Sequence, residues 1–364
     1  MTKITLLPGD GIGPEVIAEA EKTIRCVQTV FNLDLELDTA PIGGAAIDLC
    51  GMPLPPETLA KCQASDAILF GAVGRPDYDS LPGEMRPEAA LLQLRQTMGV
   101  YANLRPITTF PALISASSLR PDIVTASDLL IVRELTGGIY FGKPRLREKI
   151  VGGERAVDTM IYTTGEIERI AHIAFQMACR RRKKVTSVDK ANVLACSRLW
   201  RETVTRVSKN YPDVTLEHML VDSCAMRIIT NPRDFDVILT GNMFGDILSD
   251  EASVLTGTLG LLASASLRDD KVGLYEPVHG SAPDLVGQDK ANPLAAILST
   301  ALFFRYSMDM DPVATAIENA VDQVLKAGYR TADIMTPGNK LIGTKAMGDK
   351  VCEYLNSDLA KEGG

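Results

Sequence analysis

The feature that most constrains this chain is a repeated unit: a short apolar, β-prone run, a glycine-bearing turn, then helical spacing. Ile4–Leu7 leads into Pro8-Gly9-Asp10-Gly11-Ile12-Gly13-Pro14-Glu15, and Asp66–Val73 ends in the turn Gly71–Gly74. Asp128–Glu134 enters Leu135-Thr136-Gly137-Gly138, and Phe235–Thr240 turns through Gly241-Asn242. Apolar runs of this length are strands covered on both faces, the pattern of parallel strands joined by helices. An α/β fold with a mostly parallel sheet is therefore expected. The intervening stretches agree. Ile17, Ala20, Ile24, Val27 and Phe31 make one helical face, and Pro14 suits the first helical turn. Thr163 and Glu166 form a capping box before the stripe Ile167, Ile170, Ile173 or Ala174, and Met177. Leu33, Leu35 and Leu37 alternate as a half-exposed strand, Val214–Val221 reads as another, and two long helices are expected near 293–308 and 312–327. Residues 143–160 are charged, glycine-bearing and alternating, as in an exposed hairpin arm.

Open α/β sheets bind ligands at the carboxyl ends of their strands. The glycine-rich turn after the first strand has the spacing G-x-G-x-G, not G-x-G-x-x-G, and no acidic residue closes a second strand in the βαβ context. It reads as a tight turn, not as a Rossmann dinucleotide loop. Asp246 and Asp250, four apart after Gly245, share one face if the segment is helical. Two such carboxylates repel unless a cation lies between them, and Mg²⁺ or Mn²⁺ suits oxygen ligands. A solvated acidic first turn complementing the helix dipole is the other reading.

Composition narrows the field. A chain of 364 residues allows a large core and two domains. With 38 Lys+Arg against 46 Asp+Glu, the net charge of −8 disfavours a general polyanion binder. The basic run Arg180–Lys184 then reads as a helix carboxyl-terminal complement and not as a nucleic-acid site. Seven scattered cysteines without a Cys-x-x-Cys pair suggest reduced thiols, and no run is long enough to span a bilayer. A cytoplasmic protein without membrane or nucleic-acid partners is expected.

Arg95, Arg105, Arg133, Tyr140, Lys190, Asp222, Asp246 and Asp250 stand at ends of apolar strands or in adjoining helices. Singly, each reads as structural: an arginine pairs with a surface carboxylate, and a lysine after a strand faces water. Together they suit one chemistry. The arginines suit a substrate with two carboxylates. The aspartates suit a divalent cation, and a lysine with a tyrosine suits acid–base work. A Mg²⁺-dependent phosphoryl hydrolase also puts aspartates at strand ends, but it leaves the arginines without a task.

The chain resembles the metal-dependent β-decarboxylating dehydrogenases, the isocitrate/isopropylmalate dehydrogenase family, over essentially its whole length. The resemblance rests on Leu7–Glu15 (LPGDGIGPE), Asn103–Pro106 (NLRP), Arg133–Gly142 (RELTGGIYFG), Asp189–Asn192 (DKAN), Asn242–Asp250 (NMFGDILSD) and Glu276–Asp284 (EPVHGSAPD). It implies a two-domain fold that is not a Rossmann fold. Residues 1–104 with 254–364 would form a cofactor-binding domain, and 105–253 a substrate, metal and dimerisation domain. It further implies NAD-dependent oxidation and decarboxylation of a 2-hydroxy-dicarboxylate, most closely in the branch acting on 3-isopropylmalate in leucine biosynthesis. Isocitrate, homoisocitrate and tartrate are the alternatives within the family.

By this resemblance Arg95, Arg105 and Arg133 hold substrate carboxylates, with Asp222 beside them. Asp222, Asp246 and Asp250 hold Mg²⁺ or Mn²⁺. Tyr140 and Lys190 are the acid–base pair, and the partner subunit of a homodimer donates Lys190 and Asp222. Val73, Gly74, Arg75, Glu88, Glu276, His279, Gly280, Ser281, Ala282, Pro283, Asp284 and Asn292 contact NAD. Leu91 and Leu92 precede Arg95 on a helix, so at least one of them is expected to meet the substrate's isopropyl group, unless both are core residues. The acid at Asp284 favours NAD over NADP.

Overall fold

The computed structural model describes the chain from Met1 to Glu362. Its longer strands are β1 Thr2–Gly9, β2 Leu35–Thr39, β3 Ala67–Ala72, β4 Ala102–Thr108, β5 Asp128–Glu134, β6 Leu146–Ile150, β7 Gly153–Val157, β8 Lys184–Asp189, β9 Thr215–Leu220, β10 Val237–Thr240, β11 Ala263–Leu267 and β12 Gly273–Pro277. Helices connect most of them, as the alternation of apolar runs predicts. The chain divides into two compact units. One comprises Met1–Val100, Phe110–Pro121 and the segment from Thr256 onward; the other comprises Tyr101–Thr109 and Asp122–Leu255.

In the first unit the strand order is β2-β1-β3-β12-β11. All pairs are parallel except β11 with β12. Every residue of β3 is buried, whereas at the edge only Leu35 of β2 is. The helix Leu294–Tyr306 is buried from Leu294 through Phe304, and Gly13–Val30 and Asp311–Lys326 bury one stripe each. A helix apolar all round is thus wrapped by amphipathic neighbours.

The second unit has the order β4-β5-β10-β8-β9, antiparallel only between β4 and β5. The helix Thr164–Cys179 opens with the expected capping box: Glu166 N donates to Thr163 Oγ1 at 3.3 Å, and Thr163 N donates to Glu166 Oε2 at 2.7 Å. The basic run after it is tied down inside the unit. Arg181 pairs with Asp128 and Asp236 at 2.8 Å, Arg182 with Asp128 at 3.3 Å, and Lys184 with Glu217 at 2.8 Å. β6 and β7 form the exposed antiparallel arm.

Three expectations shift. The strand expected to end at Val221 stops at Leu220, because its neighbour β8 ends at Asp189 and offers no further ladder partner. Val221 starts a helix, Val221–Thr230, so Asp222 stands in a helical first turn and not on a strand. Residues 110–121 group with the first unit, where Arg330 Nη2 donates to the Ala112 carbonyl at 2.7 Å. The later boundary lies after Leu255 because the helix Asn242–Thr256 continues to Gly257, whose φ of +85° ends it.

The turn after β5 is held by one carboxylate. Glu134 is fully buried; its Oε1 accepts from Thr136 N at 3.1 Å, Thr136 Oγ1 at 2.9 Å and Arg169 Nη2 at 3.1 Å. Its Oε2 accepts from Gly137 N at 2.7 Å. Burial pushes this carboxyl above its ordinary 4.5, although Thr136 and Gly137 pull the other way. The folded chain therefore holds this proton more tightly than the unfolded chain does. Glu134's contribution is fully present below about 4.5 and is lost as pH rises through the higher folded value. Glu134→Gln should remove that pH dependence and cost about 1–3 kcal/mol, since Gly137 N–H loses its acceptor. Urea denaturation across a pH series reads both effects, and parallel pH slopes for the two proteins would refute the assignment.

Candidate active site

In the second unit, adjacent antiparallel strands present two arginines. Arg105 of β4 and Arg133 of β5 are 5% and 2% exposed, and cations this deep need partners. Arg105 Nε donates to Asn103 Oδ1 at 2.8 Å, and its Nη1 donates to Ser249 Oγ at 2.5 Å. Arg133 Nε and Nη2 both donate to Asn242 Oδ1, at 3.0 and 2.7 Å. Its Nη1 reaches Asp246 Oδ1 at 2.5 Å. Arg105 Nη2 stands 3.6 Å from the same oxygen, and Arg105 Nη1 is 3.9 Å from Asp250 Oδ1. The glycine in N-M-F-G-D is what allows this approach. A Cβ at Gly245 would lie 2.7 Å from Arg133 Cγ.

Tyr140 joins this group. Its hydroxyl donates to Asp246 Oδ2 at 3.0 Å. Burial and the Asp246 charge raise the phenol above 10, so it carries its proton at neutral pH and can serve as an acid. Burial also raises the Asp250 carboxyl, against the pull of Arg105.

Asp246 and Asp250, on successive turns of one helix, offer the hard oxygen donors that Mg²⁺ or Mn²⁺ takes. Among the described residues, no three His, Cys, Asp or Glu side chains of one chain converge as a metal site, so Asp222 does not join the other two aspartates within one chain. Asp222 instead receives Lys190 Nζ at 2.5 Å, with a side chain 56% exposed. That hydrogen bond holds its carboxyl below the usual range.

In the first unit, Arg95 lies on the helix Pro87–Met98 and is buried, with Nη2 donating to Glu276 Oε1 of β12 at 2.6 Å. Its buried Nε has no protein partner. Leu91 packs against the core built on Leu7, Ile68 and Leu94, and both Leu91 and Leu92 are half-buried. Val73 packs on the same core. Gly74 has a φ of +124°, and a Cβ there would meet Glu88 Oε1 at 2.9 Å. Arg75 pairs with Asp48 at 2.5 Å and Asp77 at 2.9 Å.

The loop after β12 borders a cavity of about 440 Å³, lined by Ile12, Leu259, His279, Ala282, Leu285 and Asn292 among others. Its walls are apolar with a few polar groups, as in nucleoside-sized sites. His279 Nε2 is buried without a protein partner, and burial lowers the ring below 6.5, so it is neutral at pH 7. That orphaned nitrogen and the mixed lining suit the adenosine portion of a dinucleotide. Asn292 Nδ2 donates to Asp333 Oδ2 at 3.0 Å. Ser281, Gly280, Pro283 and Asp284 complete the loop, with Asp284 exposed in the short turn Pro283–Leu285.

Sequence reasoning missed Asn242 and Ser249 as partners of the arginines. The signal that could have found them was spacing: both stand within one helical turn of Asp246, four before and three after.

A family model described as "Isocitrate/isopropylmalate dehydrogenase" matches residues 3–351. A 3-isopropylmalate dehydrogenase of Moorella thermoacetica is 56% identical over 356 residues, covering 98% of this chain and 99% of that relative. One from Saccharophagus degradans is 56% identical, covering 97% of this chain and 99% of its own length. Among solved structures, the isocitrate dehydrogenase from Methylococcus capsulatus superposes with a TM-score of 0.87 at 35% identity, covering 98% of this chain and 99% of that one. A β-decarboxylating dehydrogenase from Thermococcus kodakarensis gives a TM-score of 0.80 at 35% identity, covering 99% and 98%. The chain belongs to the isocitrate/isopropylmalate dehydrogenase family.

Proposed function

We propose that this enzyme carries out the NAD-dependent oxidative decarboxylation of 3-isopropylmalate to 2-oxo-4-methylpentanoate, a step of leucine biosynthesis. The observation that carries the reading is the convergence of two buried guanidiniums and a protonated phenol on Asp246. Cations and acid stand together there, as a dicarboxylate that must be gripped and then protonated requires. Relatives sharing more than half of their residues, over nearly their full length, carry the isopropylmalate name.

Arg105 and Arg133 bind carboxylate oxygens, with Arg95 as the third cation. Leu91 and Leu92, half-buried on the helix of Arg95, supply the apolar contact for the isopropyl group. Lys190, directly or through a water, takes the C2 hydroxyl proton. Tyr140 returns a proton to the carbon that loses its carboxylate. Asp246 and Asp250, with Asp222, would hold Mg²⁺ or Mn²⁺, which would supply Lewis-acid stabilisation of developing negative charge, while bound NAD would supply the hydride acceptor. His279, Asn292 and the turn Val73–Arg75 hold the dinucleotide.

The reading includes a homodimer with shared sites. The Lys190–Asp222 pair is part-exposed and separate from the other carboxylates. The helices carrying Asp222 and Asp246 also present exposed Met226 and Ile247, 65% and 58% accessible, as apolar surface for a second copy. It also includes a reducing, cytoplasmic setting, with all seven cysteines as free thiols.

NAD reduction measured with a panel of 2-hydroxy-dicarboxylates, with and without EDTA, tests the whole reading. Isopropylmalate should far exceed isocitrate, and EDTA should abolish turnover; equal rates with isocitrate would overturn it. In the same assay Asp246→Asn should cost at least about a hundredfold, since even groups supporting a metal ligand cost that much. A near-normal rate at limiting Mg²⁺ would remove Asp246 from the site.

Tyr140→Phe should slow the reaction by roughly a hundredfold or more, the scale of general acid catalysis, and impair protonation more than hydride transfer. Single-turnover NADH formation that persists while keto-acid release stalls is the expected signature. An unchanged overall rate would exclude the tyrosine.

Cofactor choice rests on Asp284. A carboxylate accepts from ribose hydroxyls and repels a 2′-phosphate. NAD should be preferred over NADP, and Asp284→Lys should narrow or reverse the ratio of kcat/KM. Equal use of both cofactors by the parent would refute the assignment.

A further inference from the structure

The glycine-rich turn after β1 has no task in the proposed reaction, yet it encloses a carboxylate. Asp10 is 3% exposed. Its Oδ2 accepts from Gly44 N at 2.8 Å and Gly74 N at 3.0 Å, and its Oδ1 accepts from Ala45 N at 2.8 Å. Three backbone N–H groups satisfy this buried charge. Such bonds to an ionised acceptor are among the stronger ones in a protein.

The surrounding glycines make room for it. A Cβ at Gly43 would lie 2.6 Å from Asp10 Oδ2, and one at Gly44 would lie 3.0 Å from Oδ1. Gly9 and Gly11 have φ of +72° and +61°, which turns the chain so that Asp10 points inward. A phosphate cradle would present free N–H groups. Here the turn's own donors are taken: Asp10 N donates to the Ala72 carbonyl at 2.7 Å, Ile12 N to the Ser281 carbonyl at 2.8 Å and Gly13 N to the Asp10 carbonyl at 2.9 Å.

What Asp10 grips is informative. Gly74 sits between Val73 and Arg75 and faces Glu88. Arg75 is in turn pinned to Asp48, on the helix Gly44–Cys50 whose first residues Asp10 also holds. Two residues further on, Ile12 lines the 440 Å³ cavity, and its N–H donates to the Ser281 carbonyl at 2.8 Å. The turn thus clamps the 73–75 segment through a side chain and touches the 279–292 loop through its backbone.

We infer that Asp10 is a positioning residue for the dinucleotide: its carboxylate fixes the Val73–Arg75 turn against the first strand, so that the cofactor meets a preformed surface. This rests on the reading that the 73–75 turn and the 279–292 loop bind NAD. Asp10→Asn keeps the shape but leaves one acceptor oxygen for three donors, so at least one N–H is stranded and the turn loosens. Binding then has to order the turn anew, and affinity falls.

The test is calorimetric titration of NAD⁺ into the full-length protein without substrate, alongside KM for NAD and for isopropylmalate and a thermal midpoint for each variant. Asp10→Asn should raise the NAD Kd by roughly tenfold, the scale of one stranded buried donor. KM for isopropylmalate and kcat at saturating NAD should stay at the parent's values. Gly44→Ala leaves the carboxylate in place but crowds it together with Arg75 and Tyr78, and should weaken NAD in the same direction by a smaller factor. If Asp10→Asn does not fold, Asp10→Glu, which keeps the charge but shifts the carboxylate away from the Gly74 N–H, decides in its place, with the same loss of NAD affinity expected. An unchanged NAD Kd, or an equal loss toward both substrates, overturns the inference while leaving the proposed function standing. A parent protein that binds no NAD overturns both.

Discussion

A guanidinium buried in the middle of a sheet is the constraint on which the second unit depends. Arg133 lies on β5 at 2% exposure, where an unpaired charge would cost several kcal/mol. Each of its three nitrogens is met from the helix Asn242–Thr256, by one amide oxygen and one carboxylate. Asn242 is suited to this place because its two ends differ. Its oxygen faces the cation, while its nitrogen donates to the carbonyls of Leu135 at 3.0 Å and Gly137 at 3.1 Å. A carboxylate could not make the second pair of bonds. The same side chain thereby ties the arginine, the turn leading to Tyr140 and the start of the aspartate-bearing helix.

Much of this arrangement is legible in the amino-acid order alone. Wholly apolar runs such as Ala67–Ala72 are covered on both faces, and parallel strands between helices give that cover, so the α/β class follows from them. The helical spacing of Asp246 and Asp250 is equally plain. What the order of residues does not carry is pairing. Whether Val221 continues a strand depends on where its neighbour β8 stops, a fact stored some thirty residues away. Leu91 and Leu92 are chemically alike, and only packing sends the first toward the core. Asp10 is visible within a glycine-rich motif, but its three donors come from turns far apart in the chain.

Burial governs the acid–base character of the site as well. Tyr140 and Asp250 are both shifted toward their neutral forms chiefly by loss of water, although cations stand close by. Asp222, whose side chain is about as exposed as that of Asp250, is shifted the other way by the hydrogen bond from its lysine. Two carboxylates of nearly identical intrinsic acidity are thus driven apart by environment alone, and such divergence is common where proton transfer and charge binding share a site.

The interleaving of the two units also bears on how the chain is made. The second unit is complete once Leu255 has been synthesised, and apart from Tyr101–Thr109 it is one continuous stretch. The first unit is not. Its strand β3 pairs with β1 on one side and with β12 on the other, and β12 begins only at Gly273. As the chain leaves the ribosome, β3 therefore waits with one edge open while about two hundred residues follow it. An open strand edge is a template for wrong partners. The most exposed period in the life of this protein is its own synthesis, after the middle has folded and before the last third arrives to close the first.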